Sequence, residues 1–153
     1  MKQKSATGGC QCGRVRYTIE PAHSIVYACH CRECQKQSSS AFGLSMPVRA
    51  STIQLSGDPA FYERPNHSGS STRCFFCPNC GSRIYHRDAS AGEFISLKAG
   101  TLDDTSGLTL AAHLWVCRKQ PWLPIDTDLP AFETQPDDVG AWRAGLIEPA
   151  DGF

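Results

Sequence analysis

The chain has 153 residues, of which 41% are apolar, and its 15 Lys and Arg residues balance its 15 Asp and Glu residues. This length predicts one domain, and the apolar content is enough to build a core. No run of about 18 apolar residues occurs, so the composition excludes a membrane-spanning helix. The balanced charge, without a dense basic run, argues against binding to nucleic acid.

In chain order, the sequence predicts short strands separated by turn residues. Apolar side chains alternate with polar ones at 15–19 and again at 42–48, as in half-buried strands. Further strands are expected at 25–28, 53–55, 83–86, 94–97 and 113–116. One short helix is expected from Arg32 to Ser38. From Pro121 onward, five prolines predict an irregular tail, anchored by Phe132 and Trp142. The prediction is a small, mostly antiparallel β-domain.

Eight of the nine cysteines fall into three short clusters, and only Cys117 stands alone. The clusters are Cys10-x-Cys12, Cys29-x-Cys31-x-x-Cys34 and Cys74-x-x-Cys77-x-x-Cys80. Two thiolates on one tight turn reach the same zinc ion, at about 2.3 Å each, without further chain closure. The pattern therefore predicts metal binding. Cys117 follows a predicted strand and is expected to be a buried, unreactive thiol.

Cysteines in such clusters have two other common uses, in disulfides and in iron–sulfur clusters. A disulfide framework needs an oxidising compartment and a secretory signal, but residues 1–7 are polar and contain no apolar segment. We therefore expect a reduced, cytoplasmic protein. A ferredoxin-type cluster needs a fourth cysteine followed by proline, whereas here Pro78 lies inside the motif. Zinc remains the preferred metal.

Spacing alone does not say which clusters share an ion. The segment from Cys77 to Gly81 has the form of a zinc knuckle, in which glycine takes a positive φ at little steric cost. This knuckle could pair with Cys31-x-x-Cys34 or with Cys10-x-Cys12.

Six segments occur in an order that is typical of one family: GCQCGRVRY at 9–17, CHCRECQ at 29–35, SAFG at 40–43, FCPNCGSR at 76–83, GTLDD at 100–104 and HLW at 113–115. Together they resemble the glutathione-dependent formaldehyde-activating enzyme family, also called the CENP-V/GFA domain. The resemblance covers about residues 8–125, which we expect to form the zinc-binding domain. Residues 126–153 are then a C-terminal tail packed on the same domain.

The resemblance implies a mainly β fold of the Mss4-like type, with antiparallel sheets stapled by two zinc ions. It implies a structural zinc held by Cys10, Cys12, Cys77 and Cys80. It implies a second zinc, carrying the chemistry, held by Cys29, Cys31 and Cys34. Four thiolates complete a tetrahedron, whereas three leave one position open. The implied reaction adds glutathione to formaldehyde to give S-hydroxymethylglutathione, formally a carbon–sulfur lyase in reverse.

The remaining candidate site residues are expected from their nearness to the cysteine clusters in the sequence. Cys74 is a possible fourth ligand of the second zinc, which it would close. Four cations near the clusters are candidate partners for the glutathione carboxylates: Arg32, Lys36, Arg73 and Arg83. Three histidines, His30, His86 and His113, are expected to be packed or hydrogen-bonded, not metal ligands. The alternative function is a non-catalytic zinc module that binds a thiol ligand or a protein partner. Oligomeric state and the true substrate are not predicted.

Overall fold

The computed structural model describes residues 5–148, and the first four and last five residues lie outside it. The described chain contains ten strands: β1 (Ala6–Gly9), β2 (Arg16–Ile19), β3 (Ile25–Cys29), β4 (Gly43–Arg49), β5 (Ile53–Ser56), β6 (Ala60–Pro65), β7 (Ser71–Phe76), β8 (Arg83–Asp88), β9 (Phe94–Lys98) and β10 (Thr109–Leu114). Helix α1 spans Arg32–Ser38 and helix α2 spans Val139–Ile147. No helix in this range has the length and hydropathy of a membrane-spanning segment.

The strands form two sheets. The smaller sheet has the order β1-β2-β5, and the larger has the order β10-β3-β4-β9-β8-β7-β6. Neighbouring strands run antiparallel except β10 and β3, which are parallel. The predicted mainly β, antiparallel fold is therefore confirmed, with this one parallel pair as an addition.

A core of apolar side chains lies between the sheets. Val15, Tyr17 and Ile19 are each at most 3% exposed, while the residues between them remain partly exposed, as their alternation predicts. They pack with Met46, Val48, Ile84, Ile95 and Leu97 of the larger sheet. At Gly8 the backbone comes so near to Tyr17 that a Cβ atom would lie 2.3 Å from its hydroxyl. Only glycine fits this contact between the first two strands.

Strand β4 differs from the half-buried strand that its alternation predicts. Its residues from Ser45 to Val48 are all buried, on both faces. The reason is its central place in the larger sheet, where one face packs on the core and the other lies beneath the C-terminal segment and the second cysteine cluster.

Helix α1 occupies the predicted residues. It begins beyond Cys31, whose sulfur accepts a hydrogen bond from the Cys34 N–H, and it ends at Ser39 in the left-handed region (φ 51°). The tail is not wholly irregular, because it contains α2, which the sequence analysis missed. Gly140 and Gly145 weaken the helical signal of this segment by about 1 kcal/mol each. The helix forms nevertheless, capped by Asp138, whose carboxylate accepts the Ala141 N–H at 2.9 Å.

Two aromatic residues that follow residue 125 contact buried residues of the domain. Trp142 contacts Tyr27 edge-on, with ring centroids 5.1 Å apart, and Phe132 at 5.8 Å. Both tail aromatics pack against the cluster of buried residues that includes the cysteines of the second group. The expected anchoring role of Phe132 and Trp142 is thus confirmed. The division of the chain near residue 125 stays a prediction, and residues 149–153 of the expected tail lie outside the described residues.

Candidate functional site

Four cysteines from two distant turns come together where the β1–β2 turn meets the β7–β8 turn. The sulfur atoms of Cys10, Cys12, Cys77 and Cys80 all lie within 4.8 Å of one another. The Cys10 and Cys12 sulfurs are 3.6 Å apart, and those of Cys12 and Cys77 are 3.7 Å apart. Two thiolates bound to zinc at tetrahedral angles would be about 3.8 Å apart. The residues present therefore fit a four-sulfur metal site.

Backbone and hydroxyl groups surround this first group of sulfurs. The Val15 N–H donates to the Cys10 sulfur at 3.2 Å, and the Ser82 hydroxyl lies 3.3 Å from the Cys80 sulfur. The contacts with Ser82 lower the pKa of the Cys80 thiol to about 5. Hydrogen bonds of this kind favour the charged thiolate, the form that binds metal. Gly81 has a φ of 80°, as the knuckle motif predicts.

A second group of cysteines lies at the end of β3 and the start of α1. Its three sulfurs, from Cys29, Cys31 and Cys34, also lie within 4.8 Å of one another, and all three residues are buried. Hydrogen bonds from the Cys29 and Cys31 thiols hold the pKa of the Cys34 thiol well below its usual range, against the opposing effect of burial. A lowered pKa favours the thiolate form of this sulfur. This group too is able to hold a metal ion.

None of the nine cysteines, all within the described residues, forms a disulfide. The two groups consist of the residues that the family resemblance assigns to the two zinc ions, and their role as zinc ligands stays a prediction. Spacing left open whether the knuckle pairs with Cys10-x-Cys12 or with Cys31-x-x-Cys34. In the structure the sulfurs of the knuckle lie beside those of Cys10 and Cys12 and not beside α1.

The second group forms one wall of a cavity of about 120 Å³ that is open to solvent. The floor is the polar face of the larger sheet, including Ser45, Thr72 and Ser96. His67 of the β6–β7 turn and Trp115 also line the cavity and pack against each other, with ring centroids 4.3 Å apart and ring planes tilted by 34°. The first group of cysteines does not line this cavity.

Three cationic side chains enter the cavity from separate elements: Arg64 from β6, Lys98 from β9 and Arg143 from α2. Lys98 is only 8% exposed, and its ammonium donates to the Ser45 hydroxyl at 3.2 Å. Asp88 is the single acidic side chain among the lining residues. The cavity is therefore net positive and suits an anionic ligand. Lys98 and Arg64 also act to lower the pKa of Cys34.

These three cations are not among the residues that the sequence predicts for the site. The available signal was Lys98, which ends a strand whose other residues are apolar or small. A charged residue in a strand that is otherwise buried points to a functional environment. Arg64 and Arg143 carry no such signal, since they reach the cavity only through strand pairing and the docking of α2.

The structure places the four expected cations elsewhere. Arg32 and Lys36 lie on the other side of α1, where Arg32 donates to Gln35. Arg73 pairs with Glu63 at 3.5 Å on the opposite face of the sheet. Arg83 donates to His86 at 2.8 Å. None of the four lines the cavity beside the second group. Nearness in sequence to the cysteines does not place a side chain in the cavity, because neighbouring residues of a strand or helix point to different faces.

Cys74 is not brought into either group. It is fully buried in β7, opposite His86 of β8, and its sulfur lies 3.9 Å from the Thr72 carbonyl oxygen. The expectation that Cys74 closes the second metal site is therefore wrong, because its sulfur does not lie with those of Cys29, Cys31 and Cys34. Three sulfurs remain there, with no fourth among the described residues. The expectation that Cys117 is buried is also wrong, because Cys117 is exposed in a 3-10 turn after β10.

The histidines are packed and hydrogen-bonded, as expected. The Nε2 of His30 lies 2.9 Å from the Nδ1 of His113, and both rings are buried beneath the second group. Burial and the neighbouring His113 lower the pKa of His30 to about 4. Burial, with nearby Lys98, also lowers the pKa of His86. These rings are neutral at physiological pH.

Comparison with known proteins agrees with this architecture. A crystal structure of a Rhodobacter sphaeroides protein superposes with a TM-score of 0.53 at 19% sequence identity. The match covers 69% of this chain and 99% of that one. At this identity the likeness shows the fold alone.

A family model described as "Glutathione-dependent formaldehyde-activating enzyme" matches residues 5–118, well over half of the chain. The matched region contains both cysteine groups, Arg64 and Lys98, and it ends before α2. The chain therefore belongs to the glutathione-dependent formaldehyde-activating enzyme family.

Proposed function

We propose that this protein is a cytoplasmic, zinc-dependent enzyme of the carbon–sulfur lyase type that adds glutathione to formaldehyde. The observation that carries the proposal is the difference between the two cysteine groups. One has four sulfurs and lines no part of the cavity, whereas the other has three and opens onto a cationic cavity. A four-thiolate site is complete, while a three-thiolate site keeps one position for an incoming ligand.

Zinc is the metal that best suits the donors. Sets of three or four cysteine thiolates at tetrahedral spacing are typical of zinc or iron–sulfur sites. The ferredoxin pattern of cysteines is missing from the sequence. Two zinc ions are expected, one in each group, and the thiolate ligands require reduced cysteines, consistent with a cytoplasmic location.

The reaction forms one carbon–sulfur bond. The sulfur of glutathione gives up its proton and attacks the carbon of formaldehyde, and a proton is returned to the former carbonyl oxygen, giving S-hydroxymethylglutathione. Cys29, Cys31 and Cys34 would hold the zinc ion, which would favour the deprotonated form of a thiol bound to it.

The chain's own residues supply position and charge. Three cysteine thiolates donate much negative charge, so the second group is better suited to holding a thiol than to polarising a carbonyl. Lys98 and Arg64 line the cavity, where they would bind carboxylates of the tripeptide. Asp88, whose oxygens already accept hydrogen bonds from Asn66 and Ser90, would add its charge beside the ammonium group. Holding the thiol in one orientation raises its effective concentration beside the aldehyde.

The test is the exchange of formaldehyde with its glutathione adduct, measured by proton exchange spectroscopy. We expect the purified protein to accelerate the exchange above the buffer rate, and Cys34→Ser to abolish the acceleration. Cys117→Ser is the matched control, since its thiol is exposed and belongs to neither group. If the wild-type rate equals the buffer rate, the enzyme proposal fails for this substrate. Binding of glutathione without turnover would then favour the non-catalytic zinc module.

A further inference from the structure

Arg143 reaches the cavity from α2, a helix outside the region that the family model matches. One terminal nitrogen of its guanidinium donates to the Ser96 hydroxyl at 2.9 Å and to the Tyr27 hydroxyl at 3.1 Å. These two hydroxyls are themselves 3.2 Å apart. The guanidinium is thus fixed against the floor of the cavity by neutral partners.

The charge of Arg143 is not compensated within the described residues. Arg16, Arg49 and Arg73 each have a carboxylate partner there, but Arg143 has none. Its Nε atom is buried and has no hydrogen-bond partner in the described part of the chain. A guanidinium offers five N–H donors in a planar fork that matches a carboxylate. A partly buried cation that lacks an anion is unfavourable by itself, so the arrangement points to an anionic ligand.

The position of Arg143 is built into the fold. On one side of it, Trp142 packs on Tyr27 and Phe132. Beyond it, the helix ends at Glu148, which pairs with Arg49 of β4 at 2.7 Å. Both ends of α2 are therefore held, by the Asp138 cap at its start and by this ion pair at its end. The side chain does not hang free in solvent.

We propose that Arg143 binds a carboxylate of the thiol substrate and is a specificity-determining residue supplied by the C-terminal segment. The identity of the ligand rests on the proposed function. Three cations and one carboxylate line the cavity, which complements the two carboxylates and one ammonium group of glutathione. The shared chemistry is a carboxylate, which comes either from the glycine end or from the γ-glutamyl end of the tripeptide.

The experiment measures binding of S-methylglutathione to the metal-containing protein by calorimetry. The methyl group blocks the sulfur, so affinity reports the carboxylate contacts and not ligation or turnover. Arg143→Met keeps the apolar stem that packs on the sheet, and we expect it to weaken binding about 10- to 100-fold, as for the loss of one hydrogen-bonded charge pair. Arg143→Lys should recover part of the loss. Arg87→Met is the matched control, because Arg87 is exposed on β8 and does not line the cavity.

Two amidated ligands identify the carboxylate and exclude a merely structural role. One carries an amide at the glycine carboxyl and the other an amide at the γ-glutamyl α-carboxyl. For the ligand that has lost the partner of Arg143, wild type and Arg143→Met should bind equally. The proposal is overturned if Arg143→Met binds S-methylglutathione like wild type. It is also overturned if the variant weakens all three ligands by the same factor, since that result reports displacement of α2.

This test separates the new inference from the proposed function. Loss of formaldehyde exchange with an intact, Arg143-dependent affinity for S-methylglutathione would remove the enzyme proposal and keep the carboxylate contact. Normal exchange with an affinity that is independent of Arg143 would do the reverse.

Discussion

Replacing Cys77 with serine should unfold the domain, because this residue links the two sheets through the first cysteine group. Cys77 is fully buried, and its sulfur lies 3.7 Å from that of Cys12, a residue 65 positions away in the chain. A structural zinc contributes on the order of 10 kcal/mol to folding. A serine hydroxyl left buried without a partner costs about 1–3 kcal/mol more. Together these match or exceed the whole stability of a typical domain, about 5–15 kcal/mol.

Cys34→Ser provides the comparison within the same protein. Cys34 is also buried. Its group, however, joins only the end of β3 to the first turn of α1, and these two segments are close in sequence. Loss of this metal should leave both sheets and the first site in place. We expect Cys34→Ser to retain one zinc and a cooperative unfolding transition, whereas Cys77→Ser should lose the native circular dichroism signal.

The assay combines elemental analysis of zinc with urea unfolding followed by circular dichroism. A Cys77→Ser variant that keeps the wild-type midpoint while holding one zinc fewer would contradict a structural role for the first group. That role is equally contradicted if Cys34→Ser unfolds and Cys77→Ser does not, because the two groups would then have exchanged roles.

Three further outcomes are expected. Asp103 accepts a bidentate contact from Arg16, which lowers the pKa of its carboxyl to about 2 from 3.8. Because this pKa is lower in the folded state, the ionised carboxylate stabilises the fold above pH 3.8, and this stabilisation is lost as the pH falls to about 2. Asp103→Asn should therefore lower the melting temperature at pH 7 and change it little at pH 2. Equal shifts of the melting temperature at both pH values would contradict this prediction. Cys117 should be the fast-reacting thiol of the metal-containing protein, counted with a thiol reagent, and Cys117→Ser should remove that fast phase. Trp142→Ala removes an aromatic anchor beside Tyr27 and should destabilise α2 by about 2–3 kcal/mol in urea unfolding; an unchanged midpoint would show that the helix docks without it.

The elements that sequence patterns predicted are those whose signal is local. The alternation at 15–19 and the start of α1 at Arg32 follow from side-chain periodicity and capping within a few residues. Helix α2 was missed because two glycines within nine residues mask its periodicity. Its stability comes from contacts with β3 and β4, which no local window contains. The same limit explains Cys74, whose place in the C-x-x-C-x-x-C run says nothing of which face of β7 it occupies.

The candidate site, too, has features that local sequence predicts and features that depend on long-range packing. The cysteine clusters are close in sequence, so their capacity to bind metal is legible from spacing alone, and the ordered motifs identify the family. Which clusters share an ion, and which cations meet the second group, depend on strand pairing and helix docking. Arg64, Lys98 and Arg143 come from three elements spread over 80 residues and meet only when the sheet and tail have assembled. A short turn brings thiolates together by covalent connection, whereas a ligand cavity is made by long-range packing that no single segment encodes.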